Sequence, residues 1–278
     1  MKDASGSVAI TVIRPPKGWQ AIDFREFGQY RDLFWFLVWR DIKALYAQTI
    51  LGFSWAVLAP LIQIIVFTVI FGKVAKVSTD GVPYFLFSTL AVIPWNYMST
   101  SMAASSASLV GGQALLGKVY IPRLMFPIIP VLSKMVDFLI SLVVLGAVMA
   151  YYRVSPGWNI LLLPLFLLMM MVVPAAIGMW LSALAIRYRD VKFVMQYVLK
   201  LLIYSAPILY SASSIPEQYR LLYSLNPIVG VIEGFRSALL GQDIPWTYIV
   251  PGMISGVIIL VGGALYFKRM ERVFVDVM

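Results

Sequence analysis

The first stretch that could do chemistry is Gly112-Gln113-Ala114-Leu115-Leu116-Gly117-Lys118, which fits the pattern G-x-x-x-x-G-K of phosphate-binding loops. Such a loop needs a Ser or Thr after the lysine to hold magnesium, and a strand before its first glycine. Here Val119 follows the lysine, and a Ser/Ala-rich segment typical of a membrane edge precedes the glycine. We therefore interpret the match as chance and expect that this chain does not hydrolyse ATP by itself.

Side chains for acid–base or metal chemistry are scarce. The 278 residues include no His and no Cys, which removes the commonest general base, the commonest transition-metal ligand and any disulfide. The 13 acidic residues are scattered along the chain, and Asp137 is the carboxylate that clearly lies within an apolar stretch. Transporters driven by protons or sodium usually hold several ionisable groups at mid-membrane depth. We expect no metal or cofactor on this chain, and energy supplied by a separate soluble motor.

Two opposite-charge pairs, each at positions i and i+3, lie in otherwise apolar segments. Lys134 and Asp137 share a helix face, so they either neutralise each other near the interface or face a polar cavity or subunit contact. Glu233 and Arg236 lie in the stretch 221–240. That stretch suits a short helix pair that dips into the membrane from one side better than it suits a full extra span.

The elements that position these residues are membrane helices. The chain is 61% hydrophobic and 13% charged, with a mean hydropathy of +0.86, whereas soluble domains carry roughly 25% charged residues. No charge occurs from Leu51 to Gly72. The Ser54–Phe71 part of that stretch, as a helix, would be about 27 Å long, close to the roughly 30 Å hydrocarbon core. We predict an all-α polytopic membrane protein with six spans, at about 54–71, 84–104, 126–150, 160–186, 193–210 and 247–267.

The last span carries a GxxxG motif, Gly252 and Gly256, which could let another helix approach closely.

A second unit precedes the first span. Residues 1–23 are polar and contain a Pro-Pro pair, which indicates a loose arm. Residues 24–39 mix charges with aromatic rings, as in an amphipathic helix in the membrane interface, although an ordinary soluble helix has the same pattern. Residues 1–33 lack an apolar signal-peptide core, so we expect the first span to act as an uncleaved insertion signal. The predicted division is a cytoplasmic arm with interface helix, 1–50, and a transmembrane domain, 51–272.

The positive charge is sorted by membrane side. With six spans, most of the 22 Lys and Arg residues lie on the side that carries both termini. Cytoplasmic loops carry such an excess, so both termini are predicted to be cytoplasmic. The net charge of +9 is then an orientation signal and no evidence for a nucleic-acid partner.

Four blocks, in order along the chain, resemble a known family. The block Arg40-Asp41-x-Lys43-x-x-Tyr46-x-x-Thr49-x-Leu51-Gly52-x-x-Trp55-x-x-x-x-Pro60 is similar to the entry to the first span of type-2 ABC exporter permeases. It resembles most those that export polysaccharides, as in O-antigen, capsule and teichoic acid export. The other blocks are the basic segment from Leu116 to Arg123, the turn Arg187-Tyr188-Arg189-Asp190-Val191, and Asn226-Pro227 followed by Glu233-Gly234-Phe235-Arg236.

The resemblance implies a homodimer in the cell's inner, cytoplasmic membrane, with two separate ATP-binding subunits that hold ATP and Mg²⁺. The implied substrate is a glycan on a polyprenyl pyrophosphate lipid. The loop 108–123 would dock on the motor, together with the amphipathic helix 24–39; its candidate coupling residues are Leu116, Lys118, Tyr120, Pro122 and Arg123. Arg40 and Lys43 would meet the lipid's pyrophosphate at the cytoplasmic interface, unless they serve only to enforce orientation.

A glycan passage also needs aromatic side chains, because the C–H faces of sugars stack on rings. Most aromatic residues of such a chain belong to lipid-facing belts or to packing. The candidates for the passage lie in or near Pro-containing spans and are Trp95, Tyr97, Tyr204 and Tyr210. At the outer side the re-entrant hairpin would act as a gate, with Asn226, Pro227, Glu233 and Arg236 as its candidate residues.

Two other functions fit the same composition. The scaffold could export a small lipophile or a drug, in which case cells without it would become drug-sensitive and would not accumulate glycan. A membrane-embedded glycosyl- or acyltransferase needs a carboxylate or His for its chemistry. With His absent, Asp137 and Asp190 are the side chains whose substitution tests that alternative.

Overall fold

The computed structural model describes residues 24–47, 52–188 and 190–277. Within those ranges the chain is helical and holds no strand, which confirms the all-α prediction. The arm predicted at 1–23, together with Thr49, Leu51 and Arg189 of the family blocks, lies outside the described residues. The helices are α1 Phe24–Gln29, α2 Arg31–Tyr46, α3 Ser54–Phe67, α4 Tyr84–Leu116, α5 Met125–Ser133, α6 Met135–Tyr151, α7 Leu163–Arg187, α8 Val191–Leu202, α9 Glu217–Ser224, α10 Pro227–Leu240 and α11 Trp246–Val277.

Four helical segments of the described chain are long and apolar enough to cross a membrane. They are Ser54–Val74, Met125–Tyr151, Trp158–Arg187 and Trp246–Glu271. The first consists of α3 and a π-helical continuation, Thr68–Val74. Four of the six predicted spans are thus present as membrane-length apolar helices, and the total of six stays a prediction.

The other two predicted spans differ from a simple apolar helix for physical reasons. α4 has 33 residues and is about 50 Å long, but its buried face carries Ser and Thr, which lowers its hydropathy. α8 ends at Leu202, whereas a helix was predicted through 193–210. Pro207 lacks an N–H and its ring clashes with the carbonyl four residues earlier, at Ile203, so the helix stops there. The predicted third span is likewise divided into α5 and α6, with Lys134 between them.

α4 lies at the centre of the fold. It contacts α3, α5, α6, α7, α8 and α10, and one large apolar cluster forms around it. A second cluster occupies the end of the molecule where α2 packs on α5 and where α4, α7 and α11 end. The amphipathic segment is therefore packed against the end of the helix bundle through Leu37 and Val38, which are buried.

Small residues set the closest helix contacts. Pro227 of α10 lies against Gly252 and Gly256 of α11, so the GxxxG motif does admit a close neighbour, as predicted. In the centre, a Cβ on Gly178 of α7 would lie only 2.5 Å from the Cβ of Ser105 on α4. The Ser105 hydroxyl is itself engaged, since it donates a 2.6 Å hydrogen bond to the carbonyl of Pro127.

The contact between α4 and α7 predicts a large effect for a single methyl group. Gly178→Ala should destabilise the protein by about 1–3 kcal/mol, because the backbones of both helices must separate to accept the Cβ. The matched control is Gly146→Ala in α6, where nothing lies within 4 Å of the added Cβ; it should be neutral or should stabilise by up to about 1 kcal/mol. Thermal unfolding of the two variants in detergent measures the difference, and equal stability would contradict the packing.

Candidate functional site

A charged cluster lies where α2 meets α6. The Lys134 ammonium donates to Asp137 Oδ2 at 3.2 Å, and the Tyr46 hydroxyl donates to Asp137 Oδ1 at 2.5 Å. Burial, together with the carboxylate, raises the pKa of the Tyr46 phenol, so it stays protonated and keeps donating at neutral pH. The pair predicted from its i, i+3 spacing is therefore formed, and it also faces a cavity.

This cavity, of 340 Å³, lies between the end of α2 and helices α3, α4 and α6. Polar side chains line it, and its walls also carry the rings of Tyr46, Trp55, Tyr97 and Phe138. The Ser141 hydroxyl donates to the Ala56 carbonyl at 2.8 Å and thereby joins α6 to α3 beside the cavity. The polar lining residues are Gln63, Asn96, Thr100, Lys134, Asp137 and Ser141.

A second cavity, of 740 Å³, lies between α4 and α8. Thr100 lines both cavities, so the two are adjacent along α4. We call the two cavities together the α4 trough: α4 lies between them, with α3 on one side and α8 on the other. The second cavity is lined by Trp95, Ser99, Ala103, Tyr197, Lys200 and Tyr204, among others.

Three of the four predicted passage aromatics line the trough. Trp95 and Tyr204 line the cavity beside α8, and Tyr97 lines the cavity beside α3. Tyr210 lines neither; its hydroxyl donates to the Tyr204 carbonyl at 2.9 Å. Sequence reasoning missed Trp55 and Tyr197, although spacing could have found them. Trp55 shares the helix face of Ala59 and Gln63 at steps of four, and Tyr197 lies seven residues before Tyr204.

The two cations predicted to meet a pyrophosphate lie outside the trough lining. Arg40 is exposed and pairs with Asp41 at 2.8 Å, and the Lys43 ammonium lies 5.5 Å from the centre of the Trp39 ring. The cation that lines the cavity beside α3 is Lys134. Arg40 and Lys43 therefore lie on the exposed surface of α2 and line neither cavity.

The predicted coupling residues lie at one end of the bundle. Leu116 is the last residue of α4, Lys118 and Tyr120 are exposed, and Pro122 is buried beneath them. Arg123 Nη1 donates to the Glu271 carbonyl of α11 at 2.8 Å. The Tyr120 ring lies 5.8 Å from the ring of Tyr30, just before α2. The loop and the amphipathic segment thus form one surface, which we call the docking end; it also exposes Trp35, Phe36 and Trp39.

The Gly112–Lys118 segment belongs to this end and has helical geometry. Residues 112–116 are the last turn of α4, and Gly112 packs against the Phe126 ring. Its backbone N–H groups point along a helix and do not converge on a common point as in a phosphate-binding loop. The geometry agrees with interpreting the G-x-x-x-x-G-K match as chance.

The predicted gate residues lie at the opposite end, on α10. The Asn226 side chain accepts from the Ile228 N–H at 3.2 Å, and Pro227 follows as the first helical residue. Arg236 Nη1 donates to Glu233 Oε1 at 2.7 Å, and both side chains are buried. The Arg236 guanidinium also lies 3.8 Å from the centre of the Phe87 ring on α4.

Arg236 is one of several side chains that donate hydrogen bonds to the segment 203–212. In this segment the chain is not α-helical, and side chains from other elements donate to its carbonyls. Arg236 Nη2 donates to Pro207 at 2.5 Å, Tyr84 to Leu209 at 2.9 Å and Tyr248 to Ala212 at 3.2 Å. The buried ion pair therefore joins α10 to this segment.

Comparison with known proteins identifies the family. The family model described as ABC-2 type transporter matches residues 32–240. The chain is 28% identical over 223 residues to the O-antigen export system permease protein RfbA of Myxococcus xanthus, covering 80% of this chain and 85% of the relative. It is 25% identical to the protein of the same name from Klebsiella pneumoniae, with 90% and 96% covered. It is 22% identical to the polysialic acid transport protein KpsM of Escherichia coli, with 84% and 91% covered.

The match extends from α2 to the end of α10, so it includes the docking end, the trough and the segment around Pro207. The membrane-length apolar helices agree with a multi-pass membrane protein. This chain therefore belongs to the ABC-2 type transporter family.

Proposed function

We propose that the chain is the permease subunit of an ATP-driven exporter that moves a polyprenyl-linked, O-antigen-like polysaccharide outward across the inner membrane. The observation that carries the proposal is the α4 trough, whose two cavities combine polar side chains with aromatic rings, in a chain whose relatives are named for O-antigen and polysialic acid export. Rings and hydroxyl-binding groups suit a sugar chain. A small lipophile would leave those polar groups unpaired.

A second copy of the chain completes the passage in this proposal. The trough is open along one side, and α3 and α8 turn apolar side chains away from the bundle on either side of it. Within Ser54–Val74 only 11% of the span is buried, against 44% within Met125–Tyr151. Two copies that place their troughs face to face would shield the polar floor of α4 from lipid.

The ATP-binding subunits dock, in this proposal, on the docking end. Exposed Tyr120 and Lys118 lie beside the exposed rings of α2, and such aromatic side chains commonly dominate the binding energy of protein interfaces. ATP and Mg²⁺ belong to those subunits. Arg40 and Lys43, exposed on the same helix, attract the pyrophosphate of the lipid to the membrane surface.

Catalysis by the chain itself has little support in the geometry. Asp137, the carboxylate of the α3 cavity, is engaged by both Lys134 and Tyr46. Asp190 lines neither cavity of the trough. A transferase needs a free base or nucleophile at its substrate, and neither carboxylate meets that need.

The proposal predicts the phenotype of cells that lack this chain. Polyprenyl-linked glycan should accumulate on the cytoplasmic side and disappear from the surface, because the lipid-linked chain has no other route outward. The purified chain should also retain the ATPase encoded beside it, and lipid-linked glycan should stimulate ATP hydrolysis by the complex. Drug sensitivity with normal surface glycan would favour the export of a small lipophile and would contradict the proposal.

The docking end gives a prediction for a single side chain. Tyr120→Ala should weaken the binding of the ATP-binding subunit roughly tenfold or more, because a contact ring is removed. The control is Tyr151→Ala, which removes an even more exposed ring at the other end of the bundle and should leave binding unchanged. Co-purification and ATPase titration measure both; equal binding by the two variants would place the motor elsewhere.

The gate role of Glu233 and Arg236 can be separated from their structural role. Glu233→Gln alone leaves a buried guanidinium without its counter-charge and should destabilise the protein by roughly 3–5 kcal/mol. The double variant Glu233→Gln with Arg236→Met removes both charges and should recover most of that stability. Thermal unfolding and surface glycan are measured together. A stable double variant that exports poorly supports a gate role, and one that exports at the full rate removes it.

A further inference from the structure

We infer that Gln63 and Asn96 form a recognition site for the uncharged hydroxyl groups of a sugar, inside the cavity between α3, α4 and α6. The inference rests on the proposed function, since it requires that a glycan passes through the trough. It adds the residues that bind the glycan and the part of the lipid-linked molecule that they bind.

The two amides lie at the same depth on neighbouring helices. Gln63 is nine residues after the start of α3, which is about 14 Å along the helix axis. Asn96 is twelve residues after the start of α4, about 18 Å along a helix that runs in the opposite direction. In a hydrocarbon core of roughly 30 Å both positions lie near its middle. Both side chains line the same cavity.

Neither amide has a partner within the described part of the chain. Their side chains make no hydrogen bond there, whereas the neighbouring polar groups of the cavity are engaged: Thr100 donates to the Asn96 carbonyl at 2.7 Å, and Ser141 donates to Ala56. An unpaired amide in an apolar environment costs roughly 1–3 kcal/mol. Two such groups facing one cavity at mid-membrane depth are therefore best explained by a polar occupant.

The chemistry of the lining selects the class of that occupant. An amide offers both a donor and an acceptor, which matches a hydroxyl group that can do the same. The rings of Trp55 and Tyr97 line the same space and offer faces for sugar C–H groups. The volume of 340 Å³ lies at the lower end of the roughly 300–1,000 Å³ typical of ligand pockets, so the site holds a short piece of a chain.

The charge of the cavity argues against a phosphate group. Lys134 and Asp137 are its cation and its anion among the described lining residues, and they are paired at 3.2 Å. A phosphate would have to displace Asp137 from Lys134 and would meet the repulsion of that carboxylate. The site therefore binds sugar residues, and the pyrophosphate is bound elsewhere.

Photo-crosslinking in the assembled transporter tests the site directly. A benzoylphenylalanine is placed at position 63, at position 96 or at the control position 62, in cells whose own glycan is labelled metabolically with an azido sugar. Ile62 is the neighbour of Gln63 but faces away from the cavity and is exposed. We expect a glycan ladder on the chain at positions 63 and 96 and lipid adducts at position 62.

Each outcome of the crosslinking experiment either supports or overturns the inference. A ladder at 63 and 96 that is absent at 62, and lost in cells that make no glycan, supports it. A crosslink from position 63 to a second copy of the chain overturns it, because the amides then meet the partner subunit. A benzoylphenylalanine at position 204, in the cavity beside α8, serves as a further probe: a ladder there with none at 63 or 96 also overturns the inference, yet leaves the exporter function standing. Normal surface glycan in cells without the chain would instead refute the exporter function.

Substitution provides the second measurement. Gln63→Leu and Asn96→Leu keep the side-chain volume and remove the hydrogen bonds, so each should lower the export rate about three- to tenfold while assembly with the ATPase is retained. Gln63→Asn, which keeps an amide, should restore part of the rate. Gln242→Leu, at an exposed loop position, is the control. Full export by both leucine variants would contradict recognition by the amides.

Discussion

In a bilayer every backbone carbonyl and N–H must find a partner within the protein, because the hydrocarbon offers none. The segment 203–212 is where this constraint is hardest to meet, since Pro207 ends α8 and frees carbonyls that a helix would have paired. The protein meets it with side chains drawn from three other helices and from the segment itself. The donor and acceptor pairs are Tyr84 with Leu209, Arg236 with Pro207, Tyr248 with Ala212, Asn226 with Ser205 and Tyr210 with Tyr204. The positions of α4, α10 and α11 are therefore fixed relative to one broken helix.

This arrangement also accounts for a charged side chain in the apolar core. A buried arginine is costly unless its charge and its N–H groups are paired. Arg236 has Glu233 for its charge, the Pro207 carbonyl for one nitrogen and the Phe87 ring against its guanidinium, and only its buried Nε lacks a hydrogen-bond partner among the described residues. The ion pair thus serves the backbone of a neighbouring element, and its burial follows from that role.

The sequence predicts the features that depend on local pattern. The apolar runs predicted the membrane helices, and the i, i+3 spacing predicted the ion pairs. The GxxxG motif predicted that a neighbouring element, which is α10, packs closely on α11. The features that it did not predict depend on residues far apart in the chain. Tyr46 binds Asp137 across 91 positions, and Tyr84 binds Leu209 across 125. Periodicity contains no information on such pairs, so the hydrogen bonds that Arg236 and Tyr210 donate to the segment around Pro207 were not predicted.

The same long-range contacts connect the two ends of the proposed mechanism. α2 has 16 residues and is about 24 Å long. The tyrosine just before it lies against Tyr120 of the docking end, and its last residue, Tyr46, donates to Asp137, which lines the cavity beside α3. Between these points α2 packs on α5, the helix that ends one residue before Lys134. In the proposed function, a motor bound at the docking end would therefore reach the Tyr46–Asp137–Lys134 cluster through α2, because this helix contacts both.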